Sequence, residues 1–205
     1  MQRTYPMLIT LQLRQLRPTQ ITVGMEEVAY KRQEWRQLGR KARAATLAAH
    51  WFPCILGPGE VPYIVDHHHF GLALMEEGVE QASGVLLKDL SWVDVPAFWV
   101  VMDHHQWVHP YDHTGRRRDF KSIPKKLGGL EDDPYRSLAG ALRRKGGYAK
   151  DVTPYSEFLW ADFYRSRIAL DRVRHRFGSA LKRAEKIAHS AEARYLPGWS
   201  GKDVV

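Results

Sequence analysis

The sequence predicts an α+β chain, with an α/β N-terminal part and a mainly helical C-terminal half. Three observations carry that expectation. Met7-Leu8-Ile9-Thr10-Leu11-Gln12-Leu13 ends in the apolar–polar alternation of a half-buried strand. Val61 to Gly78 runs from an apolar segment through a polar turn into a second apolar segment, which is the order strand, turn, helix. From Leu159 to Ala191, the residues Phe163, Leu170, Val173, Phe177, Leu181, Ala184 and Ala188 recur at helical spacing.

The elements follow in order. Leu16-Arg17-Pro18-Thr19-Gln20 closes the first strand, and Gly24 to His50 reads as helix with a break at Gly39. Phe52–Leu56 and Val61–Val65 form a hairpin about Gly57-Pro58-Gly59-Glu60. That turn lacks the lysine and hydroxyl of a phosphate loop and leads into a strand, so it is not one. Asp66-His67-His68-His69 then opens a short helix that Gly78 is placed to cap. Val85-Leu86-Leu87 is a strand, and Asp94 with Pro96 opens a helix toward Trp107, with His104 and His105 at its C-terminal end. A small hairpin, Val108–Tyr111 with Arg116–Phe120, leads to the basic connector Lys121 to Gly129. Asp133 and Pro134 start a helix that ends at Gly146-Gly147, Thr153-Pro154 starts another, and the apolar stripe follows with Arg165, Arg172, Arg176 and Arg183 on its opposite face. The expected organisation is an α/β domain over 1–107, a hairpin and connector over 108–129, and a helical region over 130–205.

Composition narrows the function classes. A chain of 205 residues, 44% hydrophobic, can bury a core. The single cysteine, Cys54, rules out an internal disulfide framework and a Cys-based zinc site, and its apolar neighbours predict a buried thiol. Residues 1–20 lack the continuous apolar core of a signal peptide or membrane span, so a cytoplasmic protein with no membrane partner is expected. Residues 1–100 carry ten Lys/Arg and ten Asp/Glu, so the whole net charge of +8 sits in the second half. A polyanion could use that excess, and Arg116, Arg117 and Arg118 are its densest cluster; a solvated basic face is the alternative.

The chemistry concentrates at Asp66-His67-His68-His69. The first turn of a helix offers N–H groups and a dipole to an anion, imidazoles exchange protons near neutral pH, and a carboxylate can orient one of them. Phosphoryl chemistry uses all three. Neighbouring side chains diverge by about 100°, so the expectation rests on His68 and one of its flanks. A divalent metal on Asp66 and His68 is a further option, although the spacing matches no helical zinc motif. The structural alternative is that one histidine packs in the core, one hydrogen-bonds the backbone, and Asp66 caps the helix.

Tyr63-Ile64-Val65-Asp66-His67-His68-His69-Phe70-Gly71 resembles the strand–DGHHR–helix signature of the ParB/sulfiredoxin superfamily, and Leu16 to Gln20 resembles the Pro/Gln box of ParB-like domains. With Asp133-Pro134-Tyr135-Arg136-Ser137-Leu138-Ala139-Gly140 and Glu157 to Phe163, the chain is similar to the bacterial family of ParB-like nucleases over roughly residues 8–168. The resemblance implies a ParB/sulfiredoxin-like N-terminal domain and a nucleotide or phosphate site, since the superfamily includes CTP-dependent DNA clamps, ATP-using sulfiredoxins, free-serine kinases and nucleases. It implies Asp66, His67, His68, His69 and Arg136 as catalytic, and Asp133, Tyr135, Ser137, Glu157 and Asp162 as substrate-binding. ATP or CTP and Mg or Mn would be the cofactors. Two positions depart from the signature: His67 stands where it has glycine, and Phe70 where it has an arginine that would clamp phosphate. Arg136 would then supply the missing guanidinium. Taken singly, Asp133 is well placed as an N-cap, Glu157 in a first turn, and Asp162 to pair with Arg165 or Arg167. An enzyme acting on a phosphate-containing substrate is the leading expectation. A DNA-binding or ligand-sensing regulatory module using the basic half is the alternative.

Overall fold

A computed structural model describes residues 5–201. The fold is α+β, and the chain divides into two compact units. Unit 1 takes in the chain up to Thr22, Val28–Asp112 and Arg117–Glu131; unit 2 takes in Val23–Glu27, His113–Arg116 and the chain from Asp132 onward.

Unit 1 is built on a four-stranded sheet of β1 (Met7–Gln12), β3 (Phe52–Gly57), β4 (Val61–Ile64) and β5 (Gln81–Asp89), in the order β1-β5-β3-β4. β5 runs antiparallel to β1 and parallel to β3, and β3 and β4 form the expected hairpin, with Cys54 opposite Ile64. The central strand β3 is buried almost throughout, whereas β1 at the edge alternates, with Leu8 outward and Leu11 inward. Pro62 sits in the other edge strand, where a residue without an N–H is tolerated. Its carbonyl accepts the Arg17 N–H at 2.9 Å, and Arg17 O accepts the Ile64 N–H at 2.9 Å, so the Pro/Gln-box segment lies along β4. Cys54 is fully buried, and burial pushes its thiol up to about 12.

The helices around this sheet are α1 (Met25–Gln37), α2 (Arg40–Ala49), α3 (His68–Glu76) and α4 (Val95–His104). Gly39 divides α1 from α2, as its place in the sequence predicts. The Arg43 side chain donates to Trp35 O and Arg36 O and so closes the end of α1. Gly78 takes the left-handed conformation after α3 (φ 75°), and Val79 N–H reaches back to Leu74 O at 3.0 Å. Asp94 caps α4 by accepting the Ala97 N–H at 2.8 Å. His105 follows the helix end and stacks on Trp107 at 4.1 Å between centroids. Phe98, Met102, Ile55, Tyr63, Leu90 and Val108 form one buried cluster of this unit.

The expected hairpin at 108–120 is reduced to a minimal antiparallel pairing. Only the bridge Tyr111 to Arg117 forms, with Arg118 N–H on Pro110 O at 2.7 Å. Pro110 has no N–H for a ladder, and His113–Arg116 belongs to unit 2.

Unit 2 packs four helices: α5 (Pro134–Arg144), α6 (Ser156–Arg165), α7 (Leu170–His175) and α8 (Phe177–Ala188). α5 is buried from Pro134 to Leu142 and forms the centre. Leu138, Leu142, Trp160, Phe163, Tyr164 and Val173 close around it, and Tyr148 stacks on Trp160 at 4.3 Å. The stripe from Leu159 onward is helical, but it breaks between α6 and α7 and again at Arg176. α6 begins at Ser156 behind a left-handed Tyr155 (φ 58°), two residues later than Thr153-Pro154 suggests. Two short strands, β2 (Thr22–Val23) and β6 (Glu131–Asp132), lie where the chain passes between units. Among the described residues, no helix is long and apolar enough to cross a membrane.

Candidate functional site

In unit 1, the Asp66 to His69 segment joins β4 to α3. His67 is the N-cap residue of α3 and takes the left-handed conformation (φ 63°, ψ 24°), an uncommon one for a residue with a Cβ. This is the position where the superfamily signature has glycine, so the turn keeps its shape without the residue that adopts it most readily. Asp66 steadies it: the Asp66 Oδ1 accepts the His67 N–H at 2.6 Å. No side chain caps α3, in contrast to α4 and α5, where Asp94 and Asp133 do so.

The three histidines face different surroundings. His68 is buried, and its Nε2 accepts the backbone N–H of Thr19 at 3.1 Å, while the Thr19 hydroxyl donates to Ile64 O at 2.9 Å. An N–H can only donate, so Nε2 carries a lone pair there and the ring proton sits on Nδ1. The residues that resemble the Pro/Gln box and the His-rich signature are thus held together through His68. His68, expected to exchange protons with a substrate and to share a metal with Asp66, has its Nε2 occupied by the Thr19 backbone N–H. His69 is also buried. Asp66 and His67 are the exposed members of the turn.

An aromatic cluster adjoins them. Phe70 stacks on the fully buried Phe52 ring (6.0 Å, 4° between planes), and His50 lies 5.2 Å from Phe70 and 6.5 Å from His67 between centroids. The position that carries arginine in the signature here completes an apolar stack. Gly71 permits it, because a Cβ there would sit 3.1 Å from the Phe52 ring. Among the described residues, no group of three or more His, Cys, Asp or Glu converges as a metal site.

The remaining candidates of the helical half lie in unit 2 and are bound into it. Asp133 is 1% exposed; its Oδ1 accepts the Tyr135 N–H at 3.0 Å, and Arg165 grips both its oxygens at 3.2 and 2.7 Å. Arg165 also reaches Asp162 at 3.1 Å and the His113 carbonyl. Sequence reasoning placed Arg165 on a solvent-facing stripe; it is instead the hub of this group. Its i, i+3 pairing with Asp162 was expected from the sequence; its grip on Asp133 was not. Burial raises the Asp162 carboxyl, against the pull of Arg165, and burial also raises Asp132, whose Oδ1 accepts the Met25 N–H at the start of α1. Tyr135 spends its hydroxyl on Ile168 O at 2.6 Å, and Ser137 Oγ accepts the Glu26 N–H at 3.2 Å.

Arg136, expected to replace the missing guanidinium, is 4% exposed, lies 3.5 Å above the Phe158 ring, and has Glu157 3.9 Å away. Glu157 also pairs with Arg143. Of the expected nucleic-acid cluster, Arg117 pairs with Asp103 at 3.0 Å and Arg118 with Asp112 at 2.5 Å, both in unit 1, whereas Arg116 belongs to unit 2. Two charges of the triplet thus have carboxylate partners.

The model of the family described as "Putative ParB-like nuclease" matches residues 9–166. The crystal structure of protein Atu1540 from Agrobacterium tumefaciens is similar over 97% of this chain and 100% of that one, with 47% sequence identity and a TM-score of 0.89. No curated protein matches the sequence.

Proposed function

The chain belongs to the ParB-like nuclease family, and from that premise we propose that it acts on a phosphate-bearing substrate, a phosphodiester or a nucleotide such as ATP or CTP, at the turn from Asp66 to His69. The observation that carries the reading is the start of α3: a helix N-terminus with no side-chain cap, opened by an exposed imidazole and flanked by an exposed carboxylate. The first-turn N–H groups, the helix dipole and the His67 imidazole would together hold phosphate oxygens. His67 would exchange a proton with the attacking or leaving oxygen, because it is the solvent-exposed imidazole of the three. His68 is a positioning residue: it ties the Thr19 segment to the turn.

The donor set decides what a divalent ion could do here. Asp66 fits as the single protein ligand to Mg or Mn, with substrate oxygens and water as the others, an arrangement Mg favours. Such an ion would neutralise phosphate charge beside the carboxylate. His68 does not fit as a second ligand through Nε2, which accepts the Thr19 N–H.

Turnover assays test the reading. Wild type, His67→Ala and Asp66→Asn would be compared on bis(p-nitrophenyl) phosphate, single-stranded DNA, ATP and CTP, with and without Mg or Mn. The expected result is turnover of at least one substrate that falls at least about 100-fold in His67→Ala, the scale of general acid–base catalysis. Equal turnover in wild type and His67→Ala would remove the proposal.

A further inference from the structure

We infer that the exposed side of α4 is a self-association face, on which a second copy of this chain docks with its own α4 running antiparallel. The face lies within unit 1, and the inference does not depend on any reaction at the His-rich turn. Composition is the first sign: from Leu90 to Met102 the chain reads Leu-Ser-Trp-Val-Asp-Val-Pro-Ala-Phe-Trp-Val-Val-Met, and Asp94 is its one charged residue. A helix that is apolar all round needs partners all round.

Unit 1 covers one side of α4 only. Phe98 and Met102 are buried in the cluster with Ile55 and Tyr63. At about 100° per residue, Val100 falls opposite them, with Pro96 and Ala97 on one flank and Trp99 and Val95 on the other. Val95 and Val100 are each 55% exposed, and Trp92, in the turn before the helix, is 83% exposed. Of the ten large hydrophobic residues exposed among the described residues, three therefore fall within positions 92–100, a patch rather than the single scattered residues of an ordinary surface. Trp99 is braced from behind: it stacks on Phe120 at 5.3 Å with 9° between planes and meets Tyr63 edge-on at 5.6 Å, while the Arg117 guanidinium lies 5.2 Å from the Phe120 ring centre. A ring already held in place loses little freedom on docking. Tryptophan at a centre poor in charge is the composition of an interface core.

The charges at the two ends identify the occupant. Asp94 stands at the N-terminus, where it caps the helix. His104 is exposed in the last turn, and beside it Arg117 answers Asp103. Position 99 is midway between 94 and 104, so a two-fold axis at the level of Trp99 and Val100 brings Asp94 of each copy to His104 of the other and sets the two helix dipoles antiparallel. A contact between identical surfaces needs a patch that complements itself. The exposed side of α4 does so, apolar at its centre with opposite charges equally far on either side. An apolar face meant for an anionic membrane is rimmed by Lys and Arg, whereas this rim is mixed.

The test is sedimentation velocity of the full chain from about 1 to about 100 µM, beside oxidative cross-linking with copper–phenanthroline. Wild type should pass from monomer to dimer as concentration rises. Val100→Glu should raise the dimer Kd at least about 100-fold, because it buries an unpaired carboxylate at the axis, and Trp92→Ser at least about 30-fold. Helices in contact lie about 8–10 Å apart, which brings residues at a two-fold axis within disulfide reach, and Cys54, the single native cysteine, is buried. Val100→Cys should therefore cross-link to its own copy, while Lys41→Cys, exposed on α2, should not. The cross-link keeps the test decisive should Val100→Glu disturb folding, which circular dichroism would register. Wild type monomeric throughout, a dimer indifferent to Val100→Glu, or cross-linking of Val100→Cys no faster than that of Lys41→Cys would each overturn the inference. Flotation of a monomeric wild type with phosphatidylcholine vesicles would assign the face to lipid and overturn it as well.

Discussion

Replacing His68 tests the structural account of the turn at its most specific point. Thr19 and His68 are both almost fully buried, and the Thr19 N–H donates to Nε2. His68→Ala removes that acceptor, so a buried N–H loses its partner at a cost of about 1–3 kcal/mol. It also empties the space of the ring, and buried large-to-small changes add about 2 kcal/mol or more. The expected loss is about 3–5 kcal/mol in urea unfolding followed by tryptophan fluorescence. His68→Gln places an amide oxygen near the position of Nε2 and should lose only about 1 kcal/mol. Long-range proton–nitrogen NMR should find the wild-type ring protonated on Nδ1. His68→Ala as stable as wild type, or His68→Gln as damaged as His68→Ala, would refute the reasoning. The consequence for function is that His68→Ala is a poor catalytic probe, since it confounds activity with folding, and His67→Ala is the informative variant.

Other predictions follow from single contacts. Arg36 and Arg32 hold the Glu77 carboxyl down to about 2 from an ordinary 4.5, so its contribution is present above pH 4.5 and is lost as pH falls toward 2. Glu77→Gln should therefore cost about 1 kcal/mol at pH 7, and urea titrations should show the gap closing across that acid window. Arg165→Ala strands the buried Asp133 carboxylate and should destabilise by about 3 kcal/mol, read by thermal unfolding. Gly71→Ala gains about 1 kcal/mol of helix propensity but presses on the Phe52 ring, which is stacked and fully buried. Overpacking costs about 1–3 kcal/mol, so a net loss near 1 kcal/mol is expected in the same assay.

The sequence made local features legible and long-range ones opaque. The order β4, turn, α3 could be read because its signals are contiguous: an apolar run, a polar turn, an apolar run, and Gly78 where a left-handed residue is needed. The caps by Asp94 and Asp133 were legible for the same reason. His68 could not be assigned from sequence, because what fixes its ring is Thr19, 49 residues earlier. The structural alternative for the turn accounts for two of its histidines: His68 hydrogen-bonds the backbone and His69 is buried. Arg165 looked like one of four arginines on a helix exterior, and only the fold brings Asp133 to it. The apolar stripe kept its phase across the breaks at Ser166–Ala169 and Arg176, so periodicity alone could not reveal them. The carboxylates beside Arg117 and Arg118, Asp103 in α4 and Asp112 in the following loop, could not be placed there by charge counting.

The measurement that reaches the central claim most directly is a thermal-shift panel with ATP, CTP, ADP and inorganic phosphate, with and without Mg or Mn, on wild type and His67→Ala. A ligand at 100 times its Kd stabilises by about 2.7 kcal/mol, which is a rise of roughly 5–10 °C for a chain of this size. The account predicts such a rise in wild type with at least one phosphate ligand and its loss in His67→Ala, whose own melting temperature stays close to that of wild type. An equal rise in both proteins, or none in either, would contradict a phosphate site at the Asp66 to His69 turn.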